Sequence, residues 1–355
     1  MSQFNFFNDD WLDYTPSLNS KKGEYVTYLP TKLPKNFFQN LRLDRDSINN
    51  YKKRAAELTA EQCGSNPAIC FSGGIDSQAM LQCFITAKLE FKVYILKFNK
   101  DLNKQDVEHA QYYCKENKIK LIELPFDIIS FLNKFNLLYS SRYKSLSPHF
   151  NTHYAMFDIL KSKGHTGLVC GGNATLCNNE TWGTNYTRNP MNYINYSTIN
   201  NFFVQGNFLS FYPKLNWSIA LLTKKSTETL TSNNLLNKEE LDKNRYLCKL
   251  NGYVRANFNI IPQNKKYTGF ELVKKYYENI TNDPWEFEKR FRVPLSAIGC
   301  YDSGYSELIL STEQKKEIEI LYENSKTESI ICSNFNSLNK SFYKDDSNFN
   351  NMRPW

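Results

Sequence analysis

The sequence predicts an α/β protein: a doubly wound parallel sheet, followed by a mainly helical C-terminal part. Three observations carry this expectation. Between residues 68 and 170, short apolar runs alternate with segments of helical periodicity, and strands separated by helices form parallel sheets covered on both faces. The first of these strands runs into a glycine pair that opens a helix, at Ser72–Ser77. The chain of 355 residues is 41% hydrophobic and 23% charged, which supplies a core for two domains and excludes a disordered or collagen-like chain.

Residues 1–40 are aromatic and polar, and Pro16, Pro30 and Pro34 interrupt any long helix, so they read as an irregular arm with room for a strand. Residues 44–62 offer Asp46 and Ser47 as caps to a helical pattern. Then come strand Ala68–Phe71, helix Gln78–Lys88 with Met80, Leu81, Phe84 and Ile85 at apolar spacing, and strand Phe91–Phe98. Helix Lys104–Asn117, strand Ile119–Leu124, helices Ile128–Phe135 and His153–Lys163, and strand Thr166–Cys170 complete the alternation. Residues 179–215 are rich in Asn, Tyr and Thr and read as a long loop region, of the kind that is usually functional or disordered. Trp217–Leu222, Lys238–Lys249, Gly269–Asn279 and Thr312–Asn324 read as helices. The expected division is an arm and helix over 1–62, an α/β core over 63–178, a loop-rich and helical substrate region over 179–332, and a polar tail over 333–355.

The net charge of +8 permits a polyanionic partner, a nucleotide or a nucleic acid, without requiring one. The start has no basic segment followed by an apolar run, and no apolar stretch approaches ~18 residues. A cytoplasmic protein without signal peptide or membrane span is therefore expected. The heavy use of Asn, Lys, Ile, Phe and Tyr fits an AT-rich genome such as that of a phage, in which case the compartment is the host cytoplasm. Nine cysteines without CxxC or CxxH spacing predict neither a disulfide framework nor a structural zinc site.

The segment with chemistry is Ile69-Cys70-Phe71-Ser72-Gly73-Gly74-Ile75-Asp76-Ser77. It follows a strand and opens a helix, whose first turn offers free N–H groups and the positive end of the helix dipole to a phosphate. Gly73 and Gly74 let the backbone approach phosphate oxygens and allow positive φ. Ser72 and Ser77 add hydroxyls. Asp76 would repel phosphate unless a cation lay between, which predicts Mg²⁺ there. No GxxxxGK[ST] loop and no GxGxxG fingerprint accompany it.

At these residues the sequence resembles the PP-loop ATP pyrophosphatase superfamily, whose signature is SGGxDS. Residues 91–127, FKVYILKFNKDLNKQDVEHAQYYCKENKIKLIELPFD, resemble the second strand, its helix and the third strand of the asparagine-synthetase synthase domain. There an acidic residue sits four before a helix alanine, as Asp106 does before Ala110. HYAMFDILKSKGHTGLVCGGN, residues 153–173, resembles the helix and strand that lead to that family's second active-site loop. The resemblance covers roughly residues 66–178 and implies a HUP-type, Rossmann-like sheet.

It also implies cleavage of ATP to AMP and pyrophosphate, with transfer of AMP to a carboxylate or amide oxygen and then attack by a nitrogen or sulfur nucleophile. In that case Ser72, Gly73, Gly74, Ile75 and Ser77 hold the pyrophosphate and Asp76 helps to place Mg²⁺. Lys97, Phe98 and Asn99 lie against adenine through their backbone, and Gly171, Gly172 and Asn173 face the α-phosphate and acceptor. The chain departs from the family after the later strand, where CGGNATLCNNE replaces a GDGGDE-like loop and speaks against aspartate as acceptor. No glutaminase domain precedes the core, so ammonia, another amine or a separate donor protein is the expected nitrogen source.

Arg290 and Arg292, in the densest basic cluster, are the candidates for a C-terminal cation over the departing pyrophosphate, with Lys224/Lys225 and Lys265/Lys266 as weaker ones. His149 and His153 are candidates for a base or a substrate contact, against a capping or packing role. Cys170 and Cys177 bracket the second loop, as thiols for sulfur chemistry or as incidental residues. Trp182, Tyr186 and Arg188 could stack on a base. Three readings follow: an asparagine-synthase-like ligase, a nucleobase-modifying enzyme acting on tRNA or DNA, and a non-catalytic nucleotide-binding module.

Overall fold

A computed structural model describes residues 26–30, 33–143, 148–172, 176–178, 181–185, 188–232, 245–263, 270–281, 305–309 and 311–325. In chain order the elements are β1 (Val26–Pro30), α1 (Arg45–Cys63), β2 (Pro67–Cys70), α2 (Ile75–Ala87), β3 (Lys92–Phe98), α3 (Lys104–Glu116) and β4 (Leu121–Phe126). Helices α4 (Ile128–Lys134), α5 (Asn136–Tyr143) and α6 (Pro148–Ser162) lead to β5 (Gly167–Cys170). Then follow β6 (Leu176–Asn178), β7 (Thr181–Asn185), α7 (Arg188–Asn200), β8 (Phe203–Gln205), α8 (Phe208–Phe211) and α9 (Pro213–Ser232). The last elements are α10 (Arg245–Arg255), α11 (Glu271–Thr281), β9 (Tyr305–Ile309) and α12 (Thr312–Ser325).

The fold is α/β, built on a five-stranded sheet of order β4-β3-β2-β5-β8 in which every neighbouring pair is parallel. Consecutive strand residues point to opposite faces, and both directions are apolar. Ile69, Val93, Ile95, Val169 and Phe203 enter a core with Ile48 of α1, Met80 and Phe84 of α2, Val107 and Tyr113 of α3, and Trp217 of α9. Ala68, Tyr94, Leu96, Leu168 and Val204 enter a second core with Phe131 of α4, Phe157 of α6 and Tyr196 of α7. A sheet buried on both sides has to be wound with helices on both sides, as the alternation predicts.

Local signals set the helix ends. Asp44 accepts the Ser47 N–H at 2.9 Å and starts α1. Asp127 accepts the Ser130 N–H at 3.0 Å and starts α4. From β2 the chain winds outward through β3 to β4, then returns to β5 and β8 on the other side. The winding therefore reverses between β2 and β5, where Cys70 stands opposite Cys170. Ligands of open α/β sheets bind beyond the strands' carboxyl ends at such a reversal.

Residues 179–215 differ from expectation. They contain α7, β8 and α8, and the parallel sheet runs past residue 178 to Gln205. The apolar face of α7 is made by Tyr193 and Tyr196, both buried, in a stretch whose composition is that of a loop. Buried Ser197 donates to the Tyr193 carbonyl at 2.9 Å and accepts the Val204 N–H at 3.1 Å, which ties α7 to β8. A second sheet, of order β1-β9-β7-β6, joins the arm to the C-terminal part, with β1 parallel to β9 and the other pairs antiparallel. Helix α2 starts three residues earlier than the periodicity suggests and α6 five residues earlier, and α5 is a helix the pattern did not announce. Among the described residues, no helix is long and apolar enough to cross a membrane.

Candidate functional site

Residues 71–77 lie at the carboxyl end of β2 and turn into α2. Gly73 has φ +76, and a Cβ there would sit 3.2 Å from the Ala110 nitrogen and 3.3 Å from the Asp106 oxygen. Glycine is needed here twice, for the left-handed backbone and for the approach of α3. Gly74 corrects part of the sequence reading: its φ is −67, so only Gly73 uses the positive region. No side chain caps the α2 N-terminus at Gly74. The first-turn N–H groups of Ile75, Asp76 and Ser77 therefore point out of the helix end, as a phosphate requires.

The two serines are pre-arranged. Ser77 Oγ donates to the Gly74 carbonyl at 2.9 Å, and Ser72 Oγ lies 3.0 Å from Ser77 Oγ. Since the Ser77 proton is spent on Gly74, Ser72 donates in the contact between them. Below the loop, Gln78 is fully buried. Its amide nitrogen donates to the Gly73 carbonyl at 2.7 Å and to the Ile261 carbonyl at 2.8 Å, and its oxygen accepts the Ile261 N–H at 2.8 Å. His109 Nε2 lies 3.1 Å from both the Gln78 amide and the Ile261 carbonyl. Burial holds the His109 imidazole below its ordinary range.

Asp76 is the centre of the constellation. Its Oδ1 is contacted by the Lys249 ammonium and accepts the Tyr253 hydroxyl. Both partners come from α10, one helical turn apart on one face. The Lys249 side chain is only 11% exposed, so its charge is aimed at the loop and not at solvent. Burial, and then the Asp76 charge, push the Tyr253 phenol well above its ordinary value, so it stays a hydroxyl donor.

The later strand delivers its glycines to the same place. A Cβ on Gly171 would lie 3.1 Å from the Asp76 carbonyl carbon and from the Ser77 nitrogen and Cα. Gly172 has φ +63, and a Cβ there would meet Asn207 Oδ1 at 2.1 Å. The Leu209 N–H donates to the Gly171 carbonyl at 3.1 Å, so α8 holds the turn against the loop.

Lys97, Phe98 and Asn99 close β3 on the other side of the loop. Lys97 pairs with Glu123 of β4 at 3.0 Å, which draws the Glu123 carboxyl below its usual range. The Phe98 N–H is given to Asn103 Oδ1 at 2.8 Å, and Asn103 donates to the Leu96 carbonyl at 2.8 Å. Asn99 Nδ2 donates to Asp127 at 2.9 Å, and Asn99 Oδ1 is a buried acceptor with no partner among the described residues. Asn173, Arg290 and Arg292 lie outside the described residues, as do Lys265 and Lys266.

The structure thus brings together Ser72–Ser77, Gly171 and Gly172 at the winding reversal, and adds Lys249 and Tyr253, which the sequence did not single out. The expected helix Lys238–Lys249 ended on the very residue that matters, and the described helix runs on to Arg255. The doubly wound sheet thus carries at its reversal point a helix end without a side-chain cap, two hydroxyls and the Lys249–Asp76 pair.

No protein-family model and no curated protein matches the chain. Solved structures similar to it include the NMN synthetase from Francisella tularensis, at a TM-score of 0.27 and 15% identity over 36% of this chain and 55% of that one, so the chain spans about half of that protein. The NH3-dependent NAD synthetase from Campylobacter jejuni matches at a TM-score of 0.32 and 15% identity, over 62% of this chain and 98% of that one. The U34-tRNA thiolase NcsA from Methanococcus maripaludis, solved with its [4Fe-4S] cluster, matches at 0.30 and 12%, over 81% and 83%.

Proposed function

We infer that the chain cleaves ATP between its α- and β-phosphates and transfers AMP to a carboxylate or amide oxygen, as an asparagine-synthase-like ligase. The observation that carries this reading is the Lys249–Asp76 contact at the uncapped N-terminus of α2. In the reaction the acceptor oxygen attacks the α-phosphorus, the Pα–O–Pβ bond breaks, and pyrophosphate leaves with its charge. The α2 N–H groups and Lys249 face that developing charge, and the Ser72 and Ser77 hydroxyls join them by turning their protons from Ser77 and the Gly74 carbonyl to phosphate oxygens. A nitrogen nucleophile (ammonia, an amine or an amine delivered by a separate protein) then displaces AMP and gives its proton to a base. Asn99 Oδ1, a buried acceptor without a partner among the described residues, suits the adenine amino group.

The donor set fits a magnesium ion held mainly by phosphates. Among the described residues no cluster of three or more His, Cys, Asp or Glu could hold a metal, and Asp76 offers one carboxylate, which is what Mg²⁺ commonly takes beside substrate phosphates. When bound, the ion neutralises phosphate charge. Asp76 would hold it, exchanging one positive partner for another.

Product analysis tests the reading, with ATP, Mg²⁺ and panels of carboxylates, amides, ammonia, tRNA and DNA. AMP and pyrophosphate are expected, and Asp76→Asn is expected to abolish their release in a chain that still unfolds cooperatively, at a melting temperature lowered by the weakened Lys249 and Tyr253 contacts. ADP and phosphate, or full release by the variant, would overturn it. The net charge of +8 favours a nucleobase acceptor as the second reading, and turnover confined to the tRNA or DNA panels would select it. ATP binding without turnover on any panel would leave a nucleotide-binding module.

A further inference from the structure

We propose that His149 and His153, in the opening two turns of α6, bind one borderline divalent transition-metal ion such as Zn²⁺, apart from the Mg²⁺ assigned to Asp76. The chain has four histidines, and the structure uses them in two ways. His165 is buried between Tyr94 Oη at 2.8 Å and the Asn66 carbonyl at 3.0 Å. His109 is engaged under the phosphate loop. Both are packing groups. His149 and His153 are half-buried and face one another, with ring centroids 4.2 Å apart.

Their spacing of four puts both imidazoles on one helix face, the spacing by which helical histidine pairs grip zinc. Binding each ring at ~2.0–2.1 Å asks the ring centres to part by about 1 Å, which side-chain rotation supplies. A second contact points the same way. His153 Nδ1 lies 3.2 Å from Tyr193 Oη. With a metal on Nε2, the Nδ1–H donates to that phenol oxygen, the outer-shell bond that fixes a ligand histidine's tautomer and ring plane. Tyr193 is itself fixed: it is buried, and a Cβ on Gly206 would lie 1.7 Å from its ring.

The chemistry of the donors sets the ion. Imidazole nitrogens take Zn²⁺, Ni²⁺, Co²⁺ or Cu²⁺, whereas Mg²⁺ and Ca²⁺ want oxygen. Because α6 feeds β5, it starts at the carboxyl edge of the sheet. The His149 ring is 6.1 Å from Phe270, which is 6.0 Å from Phe98 at the end of β3. No third His, Cys, Asp or Glu completes the pair among the described residues. The described residues therefore offer the ion two ligands, and water or an oxygen or nitrogen of a small molecule fills the positions that those residues leave.

Calorimetric titration of the full chain with Zn²⁺, without nucleotide, tests this independently of ATP cleavage. One ion per chain is expected. Tyr193→Phe should weaken binding by roughly tenfold or more, and the His149→Gln/His153→Gln pair should abolish it in a chain that still unfolds cooperatively without metal. Co²⁺ in the same site should show d–d bands and no thiolate-to-cobalt charge-transfer band. Absence of Zn²⁺ binding by the wild type, full affinity in the double variant, or a thiolate band would overturn the proposal.

Discussion

Asp76 illustrates how one residue can be read correctly and incompletely from sequence. Its place in the loop says that a carboxylate beside phosphate needs a positive partner. The structure supplies one from 173 residues away, through Lys249. With that side chain only 11% exposed, the pair escapes most solvent screening. Removing the charge while keeping the bulk separates its two roles. Lys249→Met should lower ATP-dependent pyrophosphate release by about 10²–10³-fold, the loss typical of one preorganised donor at a developing anion. Tyr253→Phe keeps the charge and should cost about 1.5–3 kcal/mol of stability, as a hydrogen bond to a charged group. Pyrophosphate assays and urea melts on both variants distinguish the roles. Wild-type release by Lys249→Met would remove Lys249 from the chemistry.

At the scale of elements, α10 reaches the loop because it packs closely on α9. A Cβ on Gly252 would lie 2.0 Å from Thr223 Oγ1 and 2.9 Å from the Thr223 Cα. Two effects of Gly252→Ala compete. Helix propensity gains about 1 kcal/mol, whereas overpacking costs about 1–3 kcal/mol. Contact with backbone leaves no flexible end to yield, so the variant should be destabilised by about 1 kcal/mol net. It should also lose pyrophosphate release, because Lys249 and Tyr253 flank the displaced turn; a variant with higher stability and full release would sink this account. The same glycine explains what sequence could not show. Three residues beyond Lys249, Gly252 has the look of a helix stop, yet it is interior to α10. The alternation over residues 68–170 was legible, α5 apart, because the inner strands β2, β3 and β5 are apolar on both faces. Helix α7 and strand β8 were not, because tyrosines supply the buried face and β8 has only three residues. The partners of Asp76 depend on packing between distant helices, which no local pattern encodes.

At the scale of the whole molecule, the segment carrying Lys249 is fastened to the helices around the loop. The Asn259 N–H donates to Gln82 Oε1 at 2.9 Å, Ile261 is held by Gln78, and Lys52 of α1 donates to the Asn257 carbonyl at 2.7 Å. Lys52 is 2% exposed and sits 3.9 Å over the Phe258 ring. Its ion is poorly solvated, and burial pulls its pKa from 10.5 down to about 8. The unfolded chain therefore binds this proton more tightly than the folded one, and the folded state bears a charge it would sooner lose. Stability from this group rises with pH as the lysine is neutralised above about 8, until the unfolded lysine also titrates near 10.5. Buried thiols act oppositely: Cys114 is pushed up to about 11 and Cys83 to about 12 by burial, so each loses stability above the ordinary thiol value of 9.0. Subtracting a Lys52→Met variant, which keeps the thiols, isolates the lysine. The stability of wild type minus that of Lys52→Met should rise by about 2 kcal/mol between about pH 7.5 and about pH 9.5, read from urea melts at each pH. Parallel curves would mean that Lys52 keeps an ordinary pKa, and that the fastening of α10 to α1 does not bury its charge.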